Sequence, residues 1–307
     1  MLNDVQKHIL EVVSGMTDQS KGAINIRANG KKAYRSNTPN VRIESKTDKD
    51  GIDIFVQPHT VSDHVYIPVV ITEEGMHDKV YNDFYIGEGA EVTINAGCGI
   101  HNCSGCDSEH EGIHTFHVGK NAKVTYSEVH YGEGEGEGKR ILNPQTILYL
   151  EEGAKVTLET TQIRGVDDTK RFTKAVLMGD RAEITVQEKL LTHGRQNAES
   201  EMEVVLDGKD CRTQVVSRSV AQDESTQIFY PRVVGNNACF GHVQCDSIIM
   251  GTAKVRSIPE IACNHVDASL IHEAAIGKIA GDQILKLQTL GLSYEEAEEK
   301  ILEGFLR

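Results

Sequence analysis

Three groups of residues in this sequence have types and spacing suited to chemistry with soft or borderline metals. The densest is CGIHNCSGCDSEHEGIHTFH, residues 98–117, which holds three cysteines and four histidines. Cys98, Cys103 and Cys106 follow a C-x4-C-x2-C spacing, shared with the first three thiolates of plant-type ferredoxins, and His101 lies among them. Thiolates and imidazoles in this pattern suit zinc or iron, and the competing reading is a polar solenoid loop with free thiols. The second group is Cys245 in GHVQCDSIIMG, residues 241–251. Counting in twos from Ala238 puts Cys245 on the outward face, where core packing would not explain it. The third is His272 with Glu273 in SLIHEAAIGKI, which reads either as a solvated pair at a helix start or, with Cys245, as a mixed ligand set for iron or zinc. A fourth stretch, YGEGEGEGKR at 131–140, lacks the G-K-[ST] of a phosphate loop, and its three glutamates would repel phosphate. It reads as a flexible acidic excursion.

The elements that must position these residues are written as a repeat. IGEGAEVTI from Ile86, VGKNAKVTY from Val118, LEEGAKVTL from Leu150, MGDRAEITV from Met178, LDGKDCRTQ from Leu206 and VGNNACFGH from Val234 begin 32, 32, 28, 28 and 28 residues apart. A period in this range marks a repeat array whose units bury their apolar faces against one another. In each unit an apolar run enters a tight turn, and apolar residues then alternate with Lys, Glu and Thr, which gives two strands per unit with one face inside. The in-phase alanines (Ala90, Ala122, Ala154, Ala182, Ala238) favour stacked coils over antiparallel hairpins. The expectation is an all-β chain built as a parallel β-helix with two strands per turn.

The ends depart from this grammar. Residues 3–15 have helical spacing and GAINIRANGKKAYRSN, from Gly22, is polar and strand-like; residues 1–30 are assigned to an N-terminal helix and entry segment and 31–266 to the β-helix core. From 267 to 307 the period changes to 3.6, predicting about three short helices, with Asp282 as an N-cap, Gly291 as a C′ residue and Ser293 with Glu296 as a capping box. These helices would shield the last coil or offer a docking face.

Bulk composition narrows the function. The 307 residues carry a net charge of −14 and no dense basic stripe, so nucleic acid is not an expected partner. The start lacks the features of a secretory signal and no apolar run approaches a membrane span, so a cytoplasmic chain without a membrane partner is expected. Seven cysteines, an odd number in a long chain, point to free thiols in a reducing compartment. Trp is absent and aromatics are 5% of the chain, predicting an aliphatic core.

QCDSIIMG, Pro259 in RSIPEI, HEAAIGKI and the ending GDQILKLQTLGLSYEEAEEKILEGF together resemble the SufB/SufD family of iron–sulfur cluster assembly proteins. The resemblance is strong over about 65 residues and looser over the repeats. It implies a flattened right-handed parallel β-helix that acts as an assembly scaffold rather than a stand-alone enzyme. It also implies dimerisation, with itself or a paralogue, and docking of a SufC-type ABC ATPase, the seat of ATPase activity, on the C-terminal helices. By position Cys245 resembles the assembly cysteine and Glu273 its glutamate partner, with His272 beside it; having both Cys245 and Glu273 makes the chain more SufB-like, although it is much shorter than the usual SufB. The expected cargo is a transient iron–sulfur cluster, and iron. In the expected mechanism Cys245 of one subunit meets His272 or Glu273 of the other across a two-fold axis. Two competing readings are a zinc or iron metalloprotein using the Cys98–His117 cluster and a β-helix polysaccharide-active enzyme.

Overall fold

A computed structural model describes residues 2–17 and 20–306. The chain enters through helix α1 (Asp4–Ser14), the antiparallel hairpin of β1 (Ala23–Ala28) and β2 (Lys31–Ser36), and a second antiparallel pair, β3 (Val41–Ser45) and β4 (Gly51–Val56). Strands then alternate between two sheets: β5 (Asp63–Ile71), β6 (His77–Ile86), β7 (Glu91–His101), β8 (Ser108–Val118), β9 (Lys123–Glu133), β10 (Arg140–Leu142), β11 (Gln145–Leu150), β12 (Lys155–Arg164), β13 (Asp168–Leu177) and β14 (Glu183–Thr192). The series continues with β15 (Asn197–Leu206), β16 (Cys211–Ala221), β17 (Thr226–Gly235), β18 (Cys239–Ile249), β19 (Lys254–Ser257), β20 (Glu260–Cys263) and β21 (Ala268–Gly277). Helices α2 (Gly281–Thr289) and α3 (Tyr294–Phe305) follow.

One sheet runs β2-β1-β5-β7-β9-β12-β14-β16-β18-β21, and the other runs from β3 and β4 through β6, β8, β10 with β11, β13, β15 and β17 to β19 with β20. From β5 onward all neighbours are parallel, so each coil adds one strand to each sheet and the chain is a parallel β-solenoid. Alternation sets the interior: Val92, Ile94 and Ala96 of β7 point in, and the residues between them point out. The core is largely aliphatic, with the Phe84 and Phe116 rings stacked 4.0 Å apart between coils. Helix α1 lies on the outside of the first sheet. Gly97 and Gly99 make room for it, since a Cβ on Gly99 would come within 2.1 Å of Ile9 Cγ2. Among the described residues no helix is long and apolar enough to cross a membrane.

The repeated sentence is a corner of this solenoid. Gly89, Asn121, Gly153, Arg181 and Asp210 all have φ near +60°, and the next residue (Ala90, Ala122, Ala154, Ala182, Cys211) is buried where the chain turns inward. The corner that leads into β18 breaks the rule. Cys211 pairs with Cys239, so Cys239 and not Ala238 occupies the alanine row. Its turn is a residue shorter than the two before it and has no left-handed residue, and because the side-chain period is two, this slip reverses the expected facing of β18. Cys239, Gly241, Val243 and Cys245 point inward, and Cys245 is only 3% exposed.

The C-terminal expectations need correction too. Strand pairing extends through β21 to Gly277, so helical structure starts at Gly281 rather than 267 and comprises two C-terminal helices. Asp282 lies in the first turn of α2, whose N-cap is Ala280. Ser293 and Glu296 do form a capping box, and Gly291 has the positive φ of a C′ residue.

Candidate functional site

Among the described residues no strand pairs with the outer edge of the last coil. β21 is the outermost strand of its sheet, and β19 with β20 is outermost in the other, so backbone edges and interior side chains of the last coil face outward. Ile261 and Ile276 are exposed although their register partners Val233 and Ser247 are buried. Cys245 and His272 meet at this open end. His272 is in register with the inward-facing Val243, and its Nε2 lies 3.3 Å from Cys245 Sγ.

Burial pushes the Cys245 thiol up to about 11, an effect reinforced by the charges of Glu188 and Asp246 and partly offset by the nearby hydroxyl of Ser257. Ser257 Oγ is itself buried with no partner at ordinary hydrogen-bond distance. His272 is lowered, mainly by burial and also by His242, against the pull of Glu273. At neutral pH the pair is therefore a thiol donating to a neutral imidazole. The same imidazole is placed to take the thiol's proton should a thiolate form.

Glu273 is the next residue and so points the opposite way. It is in register with outward-facing Gln244, and its Oε1 lies 3.1 Å from His242 Nε2. Within one chain the structure therefore brings Cys245 and His272 together and sets Glu273 on the other face of β21, beside a groove of about 770 Å³ lined by Gln244, Asp246 and Phe305. His242 was not singled out in the sequence. Its only signal there was its position three residues before Cys245, and its pairing with Glu273 depends on register.

The Cys98–His117 group is dispersed by the same alternation. Cys98 faces inward among Val69, Ile71, Ile100, Leu142 and Val166. Cys103 and Cys106 lie in an exposed loop, where Cys103 Sγ is 3.1 Å from His101 Nε2 and His101 Nδ1 is 3.0 Å from Glu133. Among the described residues no group of three or more His, Cys, Asp or Glu is arranged to hold a metal ion within one chain. The GEGEGEG stretch is not a free excursion. Its backbone lies on the cysteine loop, with Gly136 N donating to Asn102 O and Gly138 N to Ser104 O, an approach that side chains would block.

The interior between these regions holds charge. Arg171 donates to Glu128 and to His130 Nδ1, both at 3.1 Å, and its Nε is 3.6 Å from Glu188, which also accepts from Ser200 and Ser217. Burial would raise Glu128, but His130 and Arg171 outweigh it and hold the carboxyl well below its usual range. Ser217 is the register neighbour of Cys245, so this polar file ends beside the thiol. On the outer face Phe55, Tyr85, His117 and Tyr149 form a ladder with centroids 5.0, 5.1 and 5.7 Å apart. Their faces are stacked on each other along the solenoid.

Residues 72–305 match the family model described as the SUF system FeS cluster assembly SufBD core domain. The chain is similar to an iron–sulfur cluster assembly SufBD family protein of Pyrococcus horikoshii, at 26% identity over 88% of this chain and 82% of the relative. It is 29% identical to one from Archaeoglobus fulgidus, over 74% of this chain and 60% of that protein. A chloroplastic member from Arabidopsis thaliana is 27% identical over 64% of this chain and 37% of its own length.

Proposed function

The chain belongs to the SufBD family of the SUF iron–sulfur cluster assembly system, and from that premise we propose that it is a scaffold subunit that receives a nascent cluster as cargo at the open end of its solenoid. The observation that carries this reading is the contact of Cys245 with His272, a proton-exchanging soft ligand pair at an unpaired sheet edge. This contact offers one thiol and one imidazole per chain, so the reading includes a second chain, a copy or a paralogue, seated on the last coil. Edge strands with exposed apolar side chains such as Ile271 and Ile276 are what such pairing would cover. The second chain would double the soft ligands and bring Glu273, outward on its own strand, to the rim of the joined site. Ligation by few protein groups suits a cargo that must leave.

The reading assigns α2 and α3 to docking an ABC-type ATPase. It is supported by the exposed Leu285, Leu290 and Tyr294 on α2, just after it and at the start of α3. The chemical work of nucleotide hydrolysis then lies in the partner. Co-purification tests both interfaces: the full chain is expected to hold the ATPase and to sediment as a dimer, whereas deletion of 281–307 loses the ATPase and keeps the dimer. ATPase retention by the truncated chain would overturn the docking assignment.

A further inference from the structure

Three cysteines that the site does not use lie at one corner of the last three coils. Along the solenoid this corner has two facing rows. The row that closes each strand of the second sheet reads Val118, Leu150, Leu177, Leu206, Gly235, Cys263 in register. The row that opens the first-sheet strands ends Cys211, Cys239, Ala268. Leucine facing alanine thus gives way to Leu206 facing Cys211, then Gly235 facing Cys239, then Cys263 facing Ala268.

The replacement of leucine by Gly235 is what brings the thiols together. A Cβ on Gly235 would stand 2.9 Å from Cys239 Sγ, so this sulfur leans across the corner into space a leucine would fill. Cys263 is directly above Gly235 in the parallel ladder, one strand spacing of about 4.8 Å away. The two thiols thus share one corner on successive coils, close enough for the charge of Cys263 to bear on Cys239. Cys211 is engaged elsewhere, its Sγ 3.2 Å from the Gly179 carbonyl, and Cys245 is engaged with His272. Cys263 is exposed at the open end and Cys239 is buried beneath it, the arrangement of an attacking thiol with a resolving thiol behind.

We propose that Cys239 and Cys263 are an oxidisable dithiol that closes under peroxide into a disulfide tying the last coil to the one before. The Cys263 thiolate attacks a peroxide oxygen, the O–O bond breaks, and the departing hydroxide takes a proton to leave water and a sulfenic acid. The Cys239 sulfur then attacks that sulfenic sulfur, forming the S–S bond. The hydroxyl departs with the Cys239 proton as a second water. Two thiols lose two electrons and one peroxide gains them. Because β20 leads into β21 and Cys239 opens β18, the bond fixes the strand carrying His272 against the strand carrying Cys245.

The test is peptide mass spectrometry of the purified full-length chain, reduced and then treated with stoichiometric hydrogen peroxide before alkylation. The expected product is a monomer lighter by two hydrogens, with peptide 233–254 joined to peptide 257–278 and fragment ions placing the bond at Cys239. Cys263→Ser, at an exposed position, abolishes the crosslink, and Cys239→Ala leaves Cys263 trapped as the sulfenic acid by dimedone. A bond from Cys263 to Cys245, a crosslink only between chains, or alkylatable Cys239 after Cys263 has been oxidised would each overturn the proposal. None of these outcomes depends on cluster assembly.

Discussion

Cys245 and His272 lie on neighbouring parallel strands with Sγ and Nε2 3.3 Å apart, and Glu273, the residue after His272, lies on the opposite face of the same strand. Cys245 is buried, His272 is half-buried at the open edge, and the outward carboxylate is exposed. Any site that uses all three therefore needs a second chain or a rearranged last coil.

The first prediction concerns the reactivity of the thiol. Burial raises Cys245 to about 11, whereas Cys103 and Cys106 are exposed. At pH 8 its thiolate fraction is roughly a hundredfold below that of an ordinary thiol. Timed iodoacetamide labelling at pH 8 is expected to modify Cys103 and Cys106 well before Cys245. Equal rates would contradict the burial.

The buried charges make a stability prediction. Arg171→Met leaves Glu128 and Glu188 without their cation inside the solenoid and is expected to cost about 3–5 kcal/mol in urea unfolding. Glu188→Gln, which removes the buried charge and keeps an acceptor oxygen for one of Ser200 and Ser217, is expected to cost less.

Acid should weaken the fold in a stated window. His114 is buried and lowered to about 4 from 6.5, mainly by burial. A histidine kept neutral in the fold stabilises it fully above the unfolded value, and that contribution is lost as pH falls from about 6.5 to 4; it amounts to at most about 3 kcal/mol. Glu128 and Asp78, both depressed, add losses as pH falls below their ordinary values near 4.5 and 3.8. Urea midpoints measured from pH 7 to pH 4 are expected to fall, and His114→Gln is expected to flatten the upper part of that fall.

Much of the coil was legible because stacking demands repetition. The alanine corners, the two-strand unit and the Ser293 capping box follow from local chemistry that a single unit displays. The facing of Cys245 was not legible. It depends on whether Ala238 or Cys239 takes the corner, and only pairing with Cys211 across the coil decides that. The C-x4-C-x2-C spacing likewise did not show how the fold divides it: Cys98 ends on an inward strand position, and Cys103 and Cys106 sit in a loop beyond it. The Arg171 cluster gave no sequence signal, because its members come from three different strands and meet only inside the solenoid.

The seating of α1 offers a simpler check. Gly99→Val places a side chain where Ile9 packs and is expected to release the N-terminal helix, seen as rapid proteolysis within residues 1–20 while the solenoid stays protected.

The most direct measurement is iron and acid-labile sulfide bound per chain after anaerobic reconstitution with the ATPase partner present, for the wild type, Cys245→Ala and His272→Ala, with urea midpoints as the folding control. The account predicts matched iron and sulfide on the wild type, their near-complete loss from Cys245→Ala and a marked reduction for His272→Ala, all with the fold intact. Wild-type amounts on folded Cys245→Ala, or a loss caused only by replacing Cys103 and Cys106, would contradict it.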